Sequence, residues 1–428
     1  MHRLLLLLAC LPCVAAQDAP VAFVGARVLP ISSEPIDDAS LVVQGGKILS
    51  VGPRAEVVIP ADAIVRDCVG KVIMPGLICT HSHVGQPAGG DRSAPIQPET
   101  RVLDSIDVRH ASLQRAQAGG LTCVNVMPGS GHLLSGQTIY LKLKDGRTID
   151  ELYVRDAMGQ PTGGMKMANG TNSRKDPPFP GTRAKSAALV REAFVAAQDY
   201  AKRIADAGDD ESKRPARDLA KEALVEVLEG KRVVHHHTHR HDDILTVLRL
   251  SQEFGFQVVL HHVSDGWKVA DEIAAAGAPC SIIVIDSPGG KEEALGVDFR
   301  TGGVLERAGV SVSFHTDDFI TDSRLFLRSP ALAVRAGMTR EGALAGVTLE
   351  AAKQLGLEDR IGSLEAGKDA DLAILDGDPL SIYSLVHETW VEGVQVFDLA
   401  VDADRLRAFG GYGAGDKETR NLCCGGVQ

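Results

Sequence analysis

Histidine carries the chemistry of this chain. Ten of its 14 imidazoles stand where apolar runs end: His81 and His83 in MPGLICTHSHVG, five in HHHTHRH between His235 and His241, His261 and His262 after VVL, and His315 in VSVSFHTDD beside Asp317 and Asp318. Neutral imidazoles with a carboxylate are the ligand set of a divalent ion such as zinc. His81 and His83 are two apart, so on a strand they face the same way, as two ligands of one ion must. HHHTHRH cannot be a whole site. Its alternate residues His235, His237, His239 and His241 spread over about 20 Å when extended, whereas ligands lie within about 2 Å of their ion. One or two of them can be ligands, and His236 faces the other way. A His-rich run on its own would read as an adventitious metal-binding tract, but the strand-like RVV before it and the helical pattern after it place it at a strand end. By itself His262 is as well explained as a core histidine, and His261 is expected to face outward in a structural role. His315 shares a face with Asp317 and is expected to line the pocket; Asp318 reads as a helix cap or a solvated charge.

Those positions matter only if strands bring them together. VAFVGARVLP, SLVVQGGKILSVGP and the piece ending in GKVIMPG are short strands set off by Gly and Pro, and the pattern returns in IGSLEAGKDADLAILDGDP and TWVEGVQVFD. The two ends therefore predict one small β domain, split by a long insertion. In the insertion the apolar runs LTCVNVMP, KRVVHHHTH, FQVVLHHVSDG, PCSIIVIDS and VSVSFHTDD alternate with helical patterns, which argues for a parallel sheet covered on both faces. After the His run, Asp242 or Asp243 can cap a helix whose Ile244, Val247, Leu248 and Ser251 share a face and which Gly255 ends. Roughly eight such units fit an α/β chain with a (β/α)8 TIM-like barrel, whose chemistry sits at the C-terminal strand ends. No GxGxxG follows the first strand, which weakens a dinucleotide fold. Residues 174–217 carry Val190, Phe194, Ala197, Ala201 and Ile204 at helical spacing, a packing face and a candidate lid beside the fourth strand.

PGLICTHSHVG, the later strand-end histidines, Asp317 and the closing DRIGSLEAGKDADLAIL together resemble the amidohydrolase superfamily. GQTIYLKL, MKMANGTN and the helical insert after them are most similar to its imidazolonepropionase-like members, and the resemblance spans nearly the whole chain. It implies a barrel at 76–362 inserted into a β-sandwich domain built from 17–75 and 363–405, while the Gly-rich composition of the remainder reads as a flexible tail at 406–428. The resemblance has consequences for the site. It implies His81 and His83 as metal ligands from the first strand, His262 from the sixth and Asp317 from the eighth. Where relatives read HAHRADDI this chain reads HTHRHDDI, which makes His237 the fifth-strand ligand and His239 a neighbour that supports it or contacts substrate. His235, His236 and His241 are left unmatched.

The chemistry so implied is hydrolysis of a carbon–nitrogen bond in an amide, cyclic amide or small dipeptide. Metal-activated water attacks, and Asp317 serves as general base and then acid. One or two divalent ions, zinc foremost, are expected. In two-ion members a carboxylated lysine bridges the pair, and Lys166 in GMKMANGTN stands where that lysine would be; the competing role is a substrate-anion contact or a surface residue. Thr171 occupies a position where relatives often carry Glu, which removes one carboxylate. Two other functions are weighed: a one-metal deaminase of an amino-heterocycle, which shares these ligands, and a non-catalytic secreted metal-binding protein.

Composition narrows the partners. A net charge of −11 argues against nucleic acid or an anionic membrane surface as the main partner; a small-molecule substrate is what the resemblance implies, and a homo-oligomer is left open. The opening MHRLLLLLACLPCVAAQ reads as a signal peptide over 1–16 with cleavage near Gln17, its apolar run being too short to span a bilayer, so no stable membrane insertion is expected. Export follows, with a lipid anchor at Cys10 the lesser alternative. Cys68, Cys79, Cys123, Cys280 and the adjacent Cys423 and Cys424 are too sparse for a disulfide scaffold, so stability must come from the core.

Overall fold

The computed structural model describes residues 19–85, 90–285, 291–318 and 320–410. The expected signal sequence with Cys10, and the tail cysteines Cys423 and Cys424, lie outside them. Five strands come first: β1 (Val21–Val28), β2 (Ile36–Gln44), β3 (Lys47–Pro53), β4 (Ile64–Asp67) and β5 (Val72–Pro75). The middle holds β6 (Leu77–Ser82), β7 (Leu121–Val126), β8 (Leu134–Gln137), β9 (Ile139–Lys142), β10 (Met165–Ala168), β11 (Val234–Thr238), β12 (Val258–His262), β13 (Cys280–Ile282) and β14 (Val312–Phe314). Three close the chain: β15 (Leu372–Leu375), β16 (Val386–Val391) and β17 (Val394–Asp398).

The two chain ends do join. They form one eight-stranded mixed sheet in the order β17-β16-β15-β5-β1-β2-β3, with β4 beside β1, and the seam is the antiparallel pair β5–β15, where Ile374 lies opposite Ile73. Phe23, Leu41, Ile48, Ile73, Leu372 and Trp390 fill its apolar side, with Phe23 and Trp390 edge to face at 5.1 Å. Burying such rings supplies most of the drive to pair distant segments.

The middle strands make two more sheets, β14-β13-β12-β11-β10-β8 and β6-β7-β9. Strands β10 to β14 run parallel, and helices such as Arg183–Ala207 and His241–Phe254 connect or cover them. The expectation of a wholly parallel sheet fails at β8 and β9, which run antiparallel to β10 and β7. Among the described residues no α-helix lies between β7 and β10, so these strands lack the helical crossover that usually sets a parallel neighbour. The ends of β14 and β6 meet where the Asp317 N–H donates to the His81 carbonyl at 3.1 Å.

Local signals were mostly legible. The helix after the His run ends on Gly255 in the left-handed region, as expected, but Arg240 stands at its N-cap and Asp242 and Asp243 lie in its first turn. In the helix Arg183–Ala207 the buried face is Ser186, Val190, Phe194, Ala197, Tyr200 and Ala207, whereas Ile204 is exposed. Among the described residues no helix is long and apolar enough to cross a membrane.

Candidate metal centre

Parallel register sets the site. Lys166 pairs with His235, and His237 with His261 and then Ser281 across β10 to β13, so these side chains stand in rows near the strand ends. His81, His83 and Asp317 converge as one group, His237, His239 and His262 as a second, and His81, His261 and His315 as a third, the candidate ligand atoms of each lying within 4.8 Å of one another. Asp317 Oδ1 is 3.3 Å from His81 Nε2 and 3.1 Å from His83 Nε2. The other nitrogen of His83 donates to the Met127 carbonyl at 2.8 Å, which leaves Nε2 for the site. Lys166, fully buried, stands beside His81 with Nζ 3.2 Å from its Nε2 and 3.0 Å from Met127 Sδ, so the surface alternative for it is excluded.

Every position expected to hold or border an ion is therefore brought together. His239 Nδ1 lies 2.7 Å from Ser264 Oγ, and His315 spans Ser281 Oγ at 2.7 Å and His262 Nδ1 at 3.0 Å. His261 departs from expectation: it is buried inside the cluster, its ring 5.1 Å from that of His81. Alternation itself turns it inward, since His261 stands in register with His237; it is His262, with positive φ of 72° followed by 40° at Val263, that breaks the two-residue period and brings a second, adjacent ring onto His237. Asp317 also has positive φ, 48°, a conformation that non-glycine residues adopt chiefly at constrained sites. Asp318 is neither cap nor solvated charge: it is buried and accepts from Ser82 Oγ at 2.7 Å, Thr316 Oγ1 at 2.6 Å and Ser323 Oγ. Of the surplus histidines, His235 lies 3.0 Å from His261 Nε2 and 3.2 Å from the Tyr140 hydroxyl. His236 donates to the His237 carbonyl at 3.0 Å, and His241 begins the next helix beside Asp265.

The electrostatics suit metal binding. Burial, then Lys166 and neighbouring imidazoles, pushes His81 well below the ordinary histidine range, and burial does the same to His237, His261 and His262 and takes His235 and His315 down to about 3. Neutral imidazoles are what an ion requires. Burial also lowers the Lys166 ammonium to about 7. Burial works to raise Asp317, but the His83 hydrogen bond and the positive fields of His83, His315 and Lys166 outweigh it and hold the carboxyl below its usual range. Buried His81 Nδ1, His237 Nδ1, His239 Nε2, His261 Nδ1 and His262 Nε2 have no hydrogen-bond partner among the described residues. Such clustered orphan nitrogens are costly without a ligand, so the donor set fits a divalent ion.

Sequence reasoning missed Glu293. It is buried, and its Oε2 accepts the Thr171 N–H at 2.7 Å, so a carboxylate stands beside Thr171 after all. In the sequence it belongs to KEE, which carries no signal beyond a charged loop. A cavity of about 260 Å³ opens next to it, bounded by Thr171, Arg174, Arg240, His241 and Asp265. Larger hollows of about 920 and 1130 Å³ lie by Val233, Val258 and Pro279 and by Leu29, Val72 and Leu344. Neither holds the histidines, and the site is assigned by its chemistry rather than by size.

Strand-end histidines with an aspartate define a metal-dependent hydrolase centre, and the comparisons agree: residues 72–403 match the amidohydrolase family. The chain belongs to that family, among its imidazolonepropionase-like members, and with it to the hydrolases acting on carbon–nitrogen bonds. It is 28% identical over 392 residues to the amidohydrolase tasK of Hapsidospora irregularis, covering 84% of this chain but only 40% of that protein's length. It is 28% identical to the imidazolonepropionase of Pseudomonas putida, covering 78% of this chain and 87% of the relative. A solved amidohydrolase from Thermotoga maritima superposes with a TM-score of 0.82 at 32% identity, over 88% of this chain and all of the other. These likenesses imply a TIM-barrel-type α/β fold.

Proposed function

We propose that the chain is an exported, metal-dependent amidohydrolase that cleaves an amide, a cyclic amide or a small dipeptide. The observation that carries this reading is the set of buried, unpartnered imidazole nitrogens on histidines that converge in three groups, one of them with Asp317. His81, His83 and Asp317 would hold one ion, and His237 and His262 a second, with Lys166 between them as a carbamate. A lysine lowered to about 7 is in large part free amine at neutral pH. Its lone pair can add to carbon dioxide with loss of a proton, which turns a cation that would repel the ions into an anion that attracts them.

A bound divalent ion, zinc being the expected one, supplies Lewis acidity, lowering the pKa of water to about 7 and polarising the substrate carbonyl. Asp317, ionised at working pH, accepts the proton of the attacking water at Oδ1 or Oδ2 and returns it to the leaving nitrogen, which departs poorly unless protonated. His315, held between Ser281 and His262, fixes the His262 ring, and His239, held by Ser264, presents Nε2 to the substrate side. In this reading the two middle sheets close as a (β/α)8 barrel over 76–362, carried on a β-sandwich of 17–75 and 363–405. Export is supported by the apolar opening residues alone.

Elemental analysis of the purified chain tests the site, with about two ions per chain expected for a two-metal centre. A screen of N-acyl amino acids, lactams, small dipeptides and amino-heterocycles tests the activity, with released amine expected. About one ion per chain with ammonia released from a heterocycle would instead establish the deaminase, and no metal with no turnover would end both readings.

A further inference from the structure

Glu293, on the segment that follows β13, sets a carboxylate against one edge of the His237 ring. Its Oε2 is anchored by the Thr171 N–H at 2.7 Å. Gly170, at φ +74°, is what admits it, since a Cβ there would stand 2.4 Å from that oxygen. The other oxygen, Oε1, is buried, has no hydrogen-bond partner among the described residues, and lies 4.0 Å from His237 Nε2. On the opposite edge of the ring, His237 Nδ1 is buried and equally unpartnered, in a ring that packs at 4.6 Å on His239 and 4.4 Å on His262.

A neutral imidazole offers a lone pair on one nitrogen only when the other carries the proton. A carboxylate beside Nε2 favours the proton there and leaves Nδ1 as the ligand atom, and it raises the basicity of that atom. Asn172 Nδ2 also lies 3.3 Å from Nε2; an amide's nitrogen and oxygen ends are a matter of assignment, and with the oxygen turned to the ring Asn172 accepts from Nε2 as well, though as a neutral amide it is the weaker acceptor. An enclosed carboxylate without a cation is costly, and the charge of an ion bound through the imidazole offsets that cost.

We infer that Glu293 is a positioning residue of the metal centre, its carboxylate charge 4.0 Å from His237 Nε2 favouring the proton on that nitrogen so that Nδ1 is presented to the ion. The inference rests on the metal-dependent reading of this site. It is tested with the full chain freed of metal, titrated with zinc against a chromophoric chelator, and with cobalt followed by its visible absorption. In Glu293→Gln the amide oxygen can keep the Thr171 N–H while its NH2 faces Nε2 and disfavours the required tautomer. Zinc affinity at the ion held by His237 should fall about 10- to 100-fold with an altered cobalt spectrum, while the metal-free thermal midpoint stays that of the wild type. Asn172→Ala should lose less. Glu293→Ala, measured identically, serves if the Gln variant does not fold. Wild-type zinc affinity in the Glu293 variants, or a larger loss in Asn172→Ala, overturns the inference and leaves the hydrolase intact. A wild-type chain that binds no zinc takes both down.

Discussion

Asp317 is asked to do two things, to complete one ion's ligand set and to carry a proton. Asp317→Asn separates them. The amide keeps an oxygen for the ion but cannot accept a proton, so metal content should stay near wild type while turnover falls by about 10²–10⁴-fold; undiminished turnover would remove Asp317 from the mechanism. The His run divides in the same manner. His237→Ala should strip metal and activity together, because it deletes a nitrogen of the His237, His239 and His262 group. His236→Ala removes a ring that donates to the His237 carbonyl and belongs to none of the candidate ligand groups among the described residues; it should lower stability while keeping metal, as elemental analysis of the two purified variants will tell. Most ligand candidates could be read from residue type and spacing at this scale. His261 could not, because alternation admits only one of two adjacent histidines, and the backbone twist at His262 and Val263 that lets both enter is not announced by composition.

At the scale of elements, the strand β10 has little room to move. Gly164, two residues before Lys166, faces the Val233 carbonyl and the His235 ring, and a Cβ there would stand 2.4 Å from atoms of each. Gly164→Ala must therefore push β10 away from β11, at a cost of about 1–3 kcal/mol, and shift Lys166 relative to His81. A lower denaturation midpoint together with reduced metal content is expected, and full metal loading in a destabilised variant would show that Lys166 tolerates the displacement. The antiparallel β8 and β9 belong to this scale too. Their apolar residues gave no hint of direction, since strand periodicity is the same either way; the lack of a helical crossover between β7 and β10 decides it.

Across the whole molecule, the terminal sheet is fastened to the site-bearing body by buried charges. Lys142, on β9, pairs with Asp369 at 2.9 Å and Asp371 at 2.6 Å, and Asp369 also takes Lys47 and Arg360. Both aspartates come from the GKDADL stretch read at the outset as a family signature. Lys142→Met leaves two enclosed carboxylates short of a cation and should cost about 3–5 kcal/mol in urea unfolding; a loss near zero would show the network to be idle. The acid limb follows from Asp369. Burial opposes its ionisation, but Lys142 and the flanking cations hold its pKa at about 2. A depressed carboxyl stabilises fully above its unfolded value, near 4, and that contribution is lost as pH falls from about 4 through about 2. Between pH 5 and pH 3 the wild type should lose more stability than Asp369→Asn, and equal losses would refute the assignment.

The sequence by itself singled out most of the residues that the structure brings together. HxH at a strand end, imidazoles on alternate positions and a terminal aspartate are local patterns, and locality is what a sequence displays. It also determined that both chain ends build one β unit, because their turn-punctuated strands have nowhere else to bury a face. The tertiary structure decided what depends on segments far apart in the chain: Glu293 arriving beside Thr171 and His237, Asp318 tied to Ser82, and Lys142 fixed between Asp369 and Asp371. Each is a charged group whose neighbours are chosen by packing. Desolvation makes such a group expensive unless partnered, yet nothing in its own stretch of sequence says where the partner will come from.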